Sequence, residues 1–282
     1  MKTMKTTRPR RHLTGLLFTT AVLGLAPAAT AQEPAAKQSE TETYPAPQAL
    51  VDKWIETSGG KEAWEKIDCM TQKGTIKMPA MGMSGALEIY MKSPDLMLST
   101  VDFSGLGKME EGFDGTTAWS IDPMTGPTLK KGMQLVQAQR QASFTGQINP
   151  LQNFTSSRTT GKAEFGGAEC WVVEATGEDG VTLLYFDVET GRSAGLVMTA
   201  ETPQGAIKVT VQTSEPKKFG PLELNTRTVI SVMGMEQVMA IDSVDFGEID
   251  DSRFKLPPAI ETMVKAEQGD SGKPDAKEQG DE

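Results

Sequence analysis

The chain has 282 residues, with 28 Lys and Arg against 38 Asp and Glu, a formal net charge of −10, two cysteines and one histidine. So acidic a chain, without a basic block in its body, is a poor nucleic-acid binder. Anionic membrane surfaces repel it on average.

The first residues read as a leader. Lys2, Lys5, Arg8, Arg10 and Arg11 make a basic start, and an apolar to weakly polar run follows from Leu13 to Ala26. That run is about 14 residues, against the roughly 20 needed to span a bilayer. Ala29 and Ala31 stand in an A-x-A arrangement, which predicts a signal peptide over 1–31, cleaved after Ala31. The Arg10-Arg11 pair leaves both general and twin-arginine export open. Cleavage removes five positive charges, taking the net charge from −10 to −15. It also removes His12, the only histidine. The exported chain then has no Ser-His-Asp or Cys-His catalysis, no histidine-ligated zinc and no imidazole proton shuttle.

Residues 32–46 are polar and rich in Pro and Ala, and are expected to form a linker. Residues 47–66 read as helical, with Leu50, Val51, Trp54 and Ile55 on one face and Gly59-Gly60 as the stop. A short second turn carries Ala63, Trp64 and Ile67. From Met70 the texture changes to period-two runs between turn residues. Strands are expected near 70–79, 84–92, 95–103, 107–113 and 116–122, with Asp114-Gly115 a strong hairpin signal. A helix over 131–145 interrupts them, and 149–154 suggests another short one. Strands resume near 157–165, 168–176, 181–187, 194–202, 205–214, 222–233 and 236–247. Phe254 and Leu256 pin the chain before Pro257-Pro258 stops regular pairing. Residues 264–282 lack apolar periodicity and are expected to be an acidic disordered tail. One domain over 47–263 remains.

About twelve strands with tight turns and two helical segments predict a mainly β protein. Its expected form is a strongly curved antiparallel sheet, or half-barrel, under a helical lid. A closed barrel and a two-sheet sandwich are the competing arrangements. The alternation in 86–92 puts Leu87, Ile89 and Met91 on one face and Glu88, Tyr90 and Lys92 on the other, so one face meets water. By the same phase Met97, Val101, Trp119, Trp171, Val173, Ile207, Val209, Met239 and Ile241 join the inward set, although a register slip of one residue would reverse any of them. These twelve residues are the candidate lining of an apolar cavity, with Met133, Leu135, Val136 and Phe144 the apolar side of a lid helix. The bland reading is a filled core under an ordinary packed helix.

Methionine argues for the cavity. Fourteen remain after cleavage, many in strands or turns, and Met-Gly-Met occurs at both 81–83 and 233–235. This flexible side chain suits a wall that remoulds around a guest. A chain of about 14 methylenes gains about 11 kcal/mol gross on burial, less the cost of ordering it. Cys69 and Cys170 either pair, which an oxidising compartment allows, or remain two buried thiols. Two cysteines without histidine do not suggest a metal site, and no cofactor is expected.

ETSGGKEAWEKI, KGTIKMPAMGMSGALEIYMKSPDLM, GKMEEGFDGTTAWSIDPMTGP and the closing DSRFKLP together resemble outer-membrane lipoprotein-sorting-protein-like domains, the LolA/LolB-like superfamily. FDGTTAW and GGKEAW are the most specific pieces, and the similarity covers most of 47–258. The resemblance implies an open half-barrel with a helical lid, holding lipid or lipoprotein acyl chains on its concave face. The best-known carriers latch their lid with a strand arginine; none of Arg140, Arg158, Arg192, Arg227 and Arg253 matches it by motif. Similar domains also occur beside zinc peptidases, a role this chain lacks the histidines for.

Gly105-Leu106-Gly107 lies among strands with no Lys-Ser/Thr after it, so it reads as a turn rather than a phosphate loop. Glu110-Glu111 and Asp250-Asp251 read as solvated or turn carboxylates. Two functions stay open: a periplasmic or envelope carrier of lipid or acyl chains, monomeric and non-catalytic, or an envelope structural or interaction protein with the same fold and a filled core.

Overall fold

The computed structural model describes residues 43–202 and 205–270. The expected leader, most of the linker and residues 271–282 of the expected tail lie outside the described residues.

Helix α1 (Pro47–Thr57) buries Leu50, Val51 and Ile55. It ends because Gly59 and Gly60 take positive φ, and their N–H groups reach back to Glu56 O and Ile55 O, a glycine cap of the Schellman type. Helix α2 (Lys61–Trp64) is one turn. Its Trp64 indole donates to Ser58 Oγ at 2.8 Å, which ties the two helices together.

The strands follow in two runs. The first holds β1 (Cys69–Met78), β2 (Met83–Lys92), β3 (Leu96–Phe103), β4 (Gly107–Asp114), β5 (Ala118–Asp122) and β6 (Gly126–Leu129). The second holds β7 (Ser156–Phe165), β8 (Ala168–Gly177), β9 (Gly180–Asp187), β10 (Ser193–Thr202), β11 (Gly205–Phe219), β12 (Leu222–Val232) and β13 (Met235–Asp245). Each run is an antiparallel meander, and β1 pairs with β13 to join them. The result is one open thirteen-stranded sheet with β6 and β7 at its two edges. It has one strand more than expected. β6 is short and carries Pro127, which an edge strand tolerates because one side of it needs no donors.

Joining two opposite edges forces the intervening chain across the sheet. Helix α3 (Met133–Ala142) and two 3₁₀ turns, Thr145–Gln147 and Pro150–Asn153, make that crossing. The sheet bends at bulges beside Gly74, Gly161 and Gly195. A Cβ on Gly195 would stand 1.9 Å from Val211 O, and Gly195 has φ +136.

The last helix corrects the expected tail. Helix α4 runs Pro258–Asp270, so residues 264–270 of that tail are helical, and Ile260 is fully buried. Proline is at home in a first helical turn, where its missing N–H is not needed. Before it, Ile249 and Phe254 pack with Cys69 and Tyr90 on the convex side, with Arg253 4.2 Å from the Tyr90 ring. Part of the face expected to meet water is therefore covered.

Candidate functional site

The main core lies on the concave face. Leu50, Val51 and Ile55 of α1 pack there with Trp64, Met70, Met91, Phe144, Val173, Leu184 and Phe186. Beside this packed region a cleft of about 340 Å³ remains. Trp54, Ser58 and Trp64 wall it from the α1–α2 side, and Gly146, Gln147 and Pro150 from the crossing segment. Its floor is Met70, Leu184, Phe186, Leu196, Val211 and Leu224, with Gln72, Thr213, Asn225 and Thr228 among them.

Three of the floor's polar side chains are engaged, Gln72 with Met70 Sδ at 3.0 Å and Asn225 and Thr213 with their neighbours. The Asn225 amide donates to Ser193 O at 3.0 Å and to Thr213 Oγ1 at 2.9 Å, while Thr213 donates to Ser193 O. Arg192 pairs with Glu223 at 2.9 Å on the cleft wall. Among the described residues no group of three or more His, Cys, Asp and Glu gathers to hold a metal. The arrangement can shelter an apolar chain and hold a polar end near the Arg192–Glu223 pair.

The twelve expected lining residues divide. Register puts Leu87, Ile89, Met91, Met97, Val101, Trp171, Val173, Ile207, Val209, Met239 and Ile241 on the same face as the core. Trp119 faces the other way. Ala118 opposes Phe113 on the concave side, so Trp119 opposes Gly112 on the convex side, its ring over that glycine. A single wrong phase in a five-residue strand sufficed to misplace it.

None of the twelve lines the cleft. Met91 and Val173 are spent in the packed core, whereas Val209 and Met239 are half-buried continuations of the floor. Val209 is two residues along β11 from Val211, and Met239 pairs with Thr228. The sequence signals that find the cleft are the helical face of α1, through Trp54, and, alone among the strand methionines, Met70.

Helix α3 is seated differently from the expected lid. Ala138 and Ala142 are its buried residues, against Phe113 and Ala118, with Leu135 partly packed beside them. Phe144 is buried in the main core, while Met133 and Val136 are half-buried. Arg140 leaves the helix to pair with Asp179 in the β8–β9 turn at 2.5 Å and lies 4.2 Å from the Phe154 ring. Gln137 donates to Thr199 O of β10. The crossing helix is thus fastened to both arms of the sheet.

Cys69 and Cys170 are buried and free, which corrects the disulfide alternative. β1 and β8 are six strands apart in the sheet, roughly 29 Å along it, whereas a disulfide needs Cα atoms within about 7 Å. Burial pushes the Cys170 thiol up to about 11. Neither thiol will react with iodoacetamide in the native protein at pH 8, and both will react after unfolding, as intact mass reports. Because the folded value is the raised one, the contribution of Cys170 to stability is intact below the unfolded thiol value near 9. It is lost as pH rises towards 11.

No family model matches the chain, and no curated protein matches it in sequence. Solved structures do match in shape. A LolA-superfamily protein from Nitrosomonas europaea aligns over 76% of this chain and 99% of its own, at 14% identity and TM-score 0.51. A DUF1329-family protein from Desulfovibrio piger aligns over 74% of this chain and 96% of its own, at 10% identity and TM-score 0.50. The chain has the LolA-like fold, as the resemblance of its motifs implied.

Proposed function

We propose that this LolA-like chain is an exported, non-catalytic binder of one acyl chain or a similar single-chain apolar ligand. The observation that carries the reading is the cleft between α1–α2, the crossing segment and the sheet, walled by two tryptophans and floored by Met70, Leu184, Phe186, Leu196, Val211 and Leu224. Ligand sites typically measure about 300–1,000 Å³, so 340 Å³ is room for one ligand of modest size rather than a bundle of chains. At about 0.8 kcal/mol per methylene, a buried chain supplies the affinity without any charged contact. Gln72, Thr213 and Asn225 are already engaged, which leaves few floor atoms for a strongly polar guest to bind. The basic leader and A-x-A site support an envelope location, and the protein acts there as a monomeric carrier of lipid or of lipoprotein acyl chains.

The filled-core alternative has its own support, since Met91, Val173 and Phe144 are packed away. Mass spectrometry of lipid co-extracted with the protein separates the two. Titration with a fluorescent fatty acid, read by Trp54 and Trp64 quenching, gives the affinity. Thr228→Phe, which puts a ring into the cleft, will weaken that binding at least tenfold while leaving the melting temperature within a few degrees. Lipid-free protein that also ignores the fatty acid would favour the filled core. Tight binding that Thr228→Phe leaves unchanged would move the site elsewhere.

A further inference from the structure

The meander sends alternate turns to opposite ends of the sheet. One end carries the turns after β1, β3, β5, β8, β10 and β12, and the other those after β2, β4, β7, β9 and β11. Among the described residues the exposed large apolar side chains are Tyr44, Met81, Leu106, Met124, Val181, Met233 and Met235. All except Tyr44 lie in or beside turns of the first end. The turns of the other end hold none of them.

Four of these tips are uncharged: Pro79-Ala80-Met81-Gly82, Ser104-Gly105-Leu106-Gly107, Pro123-Met124-Thr125-Gly126 and Met233-Gly234-Met235. That is unusual in a chain with a net charge of −10. Lys77 and Lys108 are exposed and lie a few residues behind two of these tips, Lys108 paired with Glu110 at 2.7 Å, and exposed Lys208 lies near the same end on β11. Acidic groups share the rim. Asp122 caps its own turn, Asp179 is paired with Arg140, and Asp102, Glu178 and Glu236 are exposed beside three of the turns.

The two Met-Gly-Met turns are neighbours, because β1 pairs with β13. Met233 has φ +50 and Gly234 φ +80, the conformation of a two-residue hairpin loop that favours Asn-Gly. A methionine there strains the backbone, and its side chain is 78% exposed. Local folding therefore gives no reason for it.

From this rim we infer a membrane-contact edge: the neutral, methionine-tipped hairpins of one end of the sheet seat the protein on a lipid bilayer surface. Successive tips lie about 10 Å apart, two strand spacings. Single apolar side chains so separated suit a continuous apolar medium. A protein partner instead favours a contiguous patch with Trp, Tyr or Arg anchors. Uncharged tips on an acidic body suit a zwitterionic surface, with the set-back lysines at the level of lipid phosphates. The cleft floor points the same way, since Val209 and Met239 extend it from Val211 and Thr228 towards the Met233 tip. The inference does not require the cleft to bind a ligand.

The test uses the full chain and phosphatidylcholine vesicles. A polarity-sensitive fluorophore on Met233→Cys will shift to the blue on adding vesicles; the same fluorophore on Glu189→Cys, at the opposite end, will not. The variant with Met81, Met124, Met233 and Met235 all changed to Ser will partition at least tenfold less, with its melting temperature and fatty-acid titration unchanged. The proposal is overturned by equal shifts at both positions or by none at position 233. It is likewise overturned by undiminished partition of the Ser variant, or by a shift that needs anionic lipid. A vesicle-free shift that grows with protein concentration would assign the rim to a second copy of the chain instead.

Discussion

Asp179→Ala will destabilise the protein by about 3–5 kcal/mol, because it strands a largely buried guanidinium. Asp179 retains only 2% side-chain exposure and Arg140 18%, and the pair fastens α3 to the β8–β9 turn. Among the described residues Arg140 Nε, Arg140 Nη1 and Asp179 Oδ2 have no hydrogen-bond partner, so the ion pair bears most of the cost of bringing both charges inside. Removing both partners should be far milder than removing one: Arg140→Met with Asp179→Ala will recover most of the loss, since no buried charge then remains. Urea denaturation of the wild type, both single variants and the double variant completes the cycle. A cost for Asp179→Ala below about 1 kcal/mol, the level of a solvated surface pair, would mean that α3 is not held there in solution.

Gly195→Ala will cost at least about 3 kcal/mol, combining a strained positive φ, worth about 1–3 kcal/mol, with displacement of a neighbouring strand. The new Cβ would meet Val211 O at 1.9 Å, so β11 must shift or the β9–β10 bulge must flatten. Both Gly195 and Val211 border the cleft, and fatty-acid binding will fall with stability. Gly105→Ala is the control. It also has positive φ, at +83, but meets nothing within 4 Å. It will cost only the backbone strain. Equal losses at the two positions in denaturant titrations would show that curvature at the bulge contributes nothing of its own.

Much of the architecture was legible in the residues. The α1 face and its Gly59-Gly60 stop, the period-two strands and the Asp114-Gly115 turn all depend on neighbours a few positions away. So does the curved-sheet expectation, which follows from a long meander with one greasy side. β6 escaped notice because four residues with a proline carry almost no alternation. α4 escaped because Pro257-Pro258 reads equally as a stop and as a helix start. Trp119 was misplaced because five residues do not fix a phase against a buried convex side.

The methionines show where local reading ends. The two Met-Gly-Met triplets look alike, and sequence suggested that they line a pliable wall. Pairing of β1 with β13 instead sets them side by side at the tips, where Met81, Met233 and Met235 are exposed. By itself the sequence determined which segments pleat, which turn, and that the two faces of the sheet differ, because these are properties of adjacent residues. Tertiary structure alone decided that β6 and β7 become opposite edges. The chain between them must therefore cross the concave face, and the gap that crossing leaves beside α1 becomes the cleft. Pairing between segments more than a hundred residues apart sets that geometry, and no local pattern encodes it.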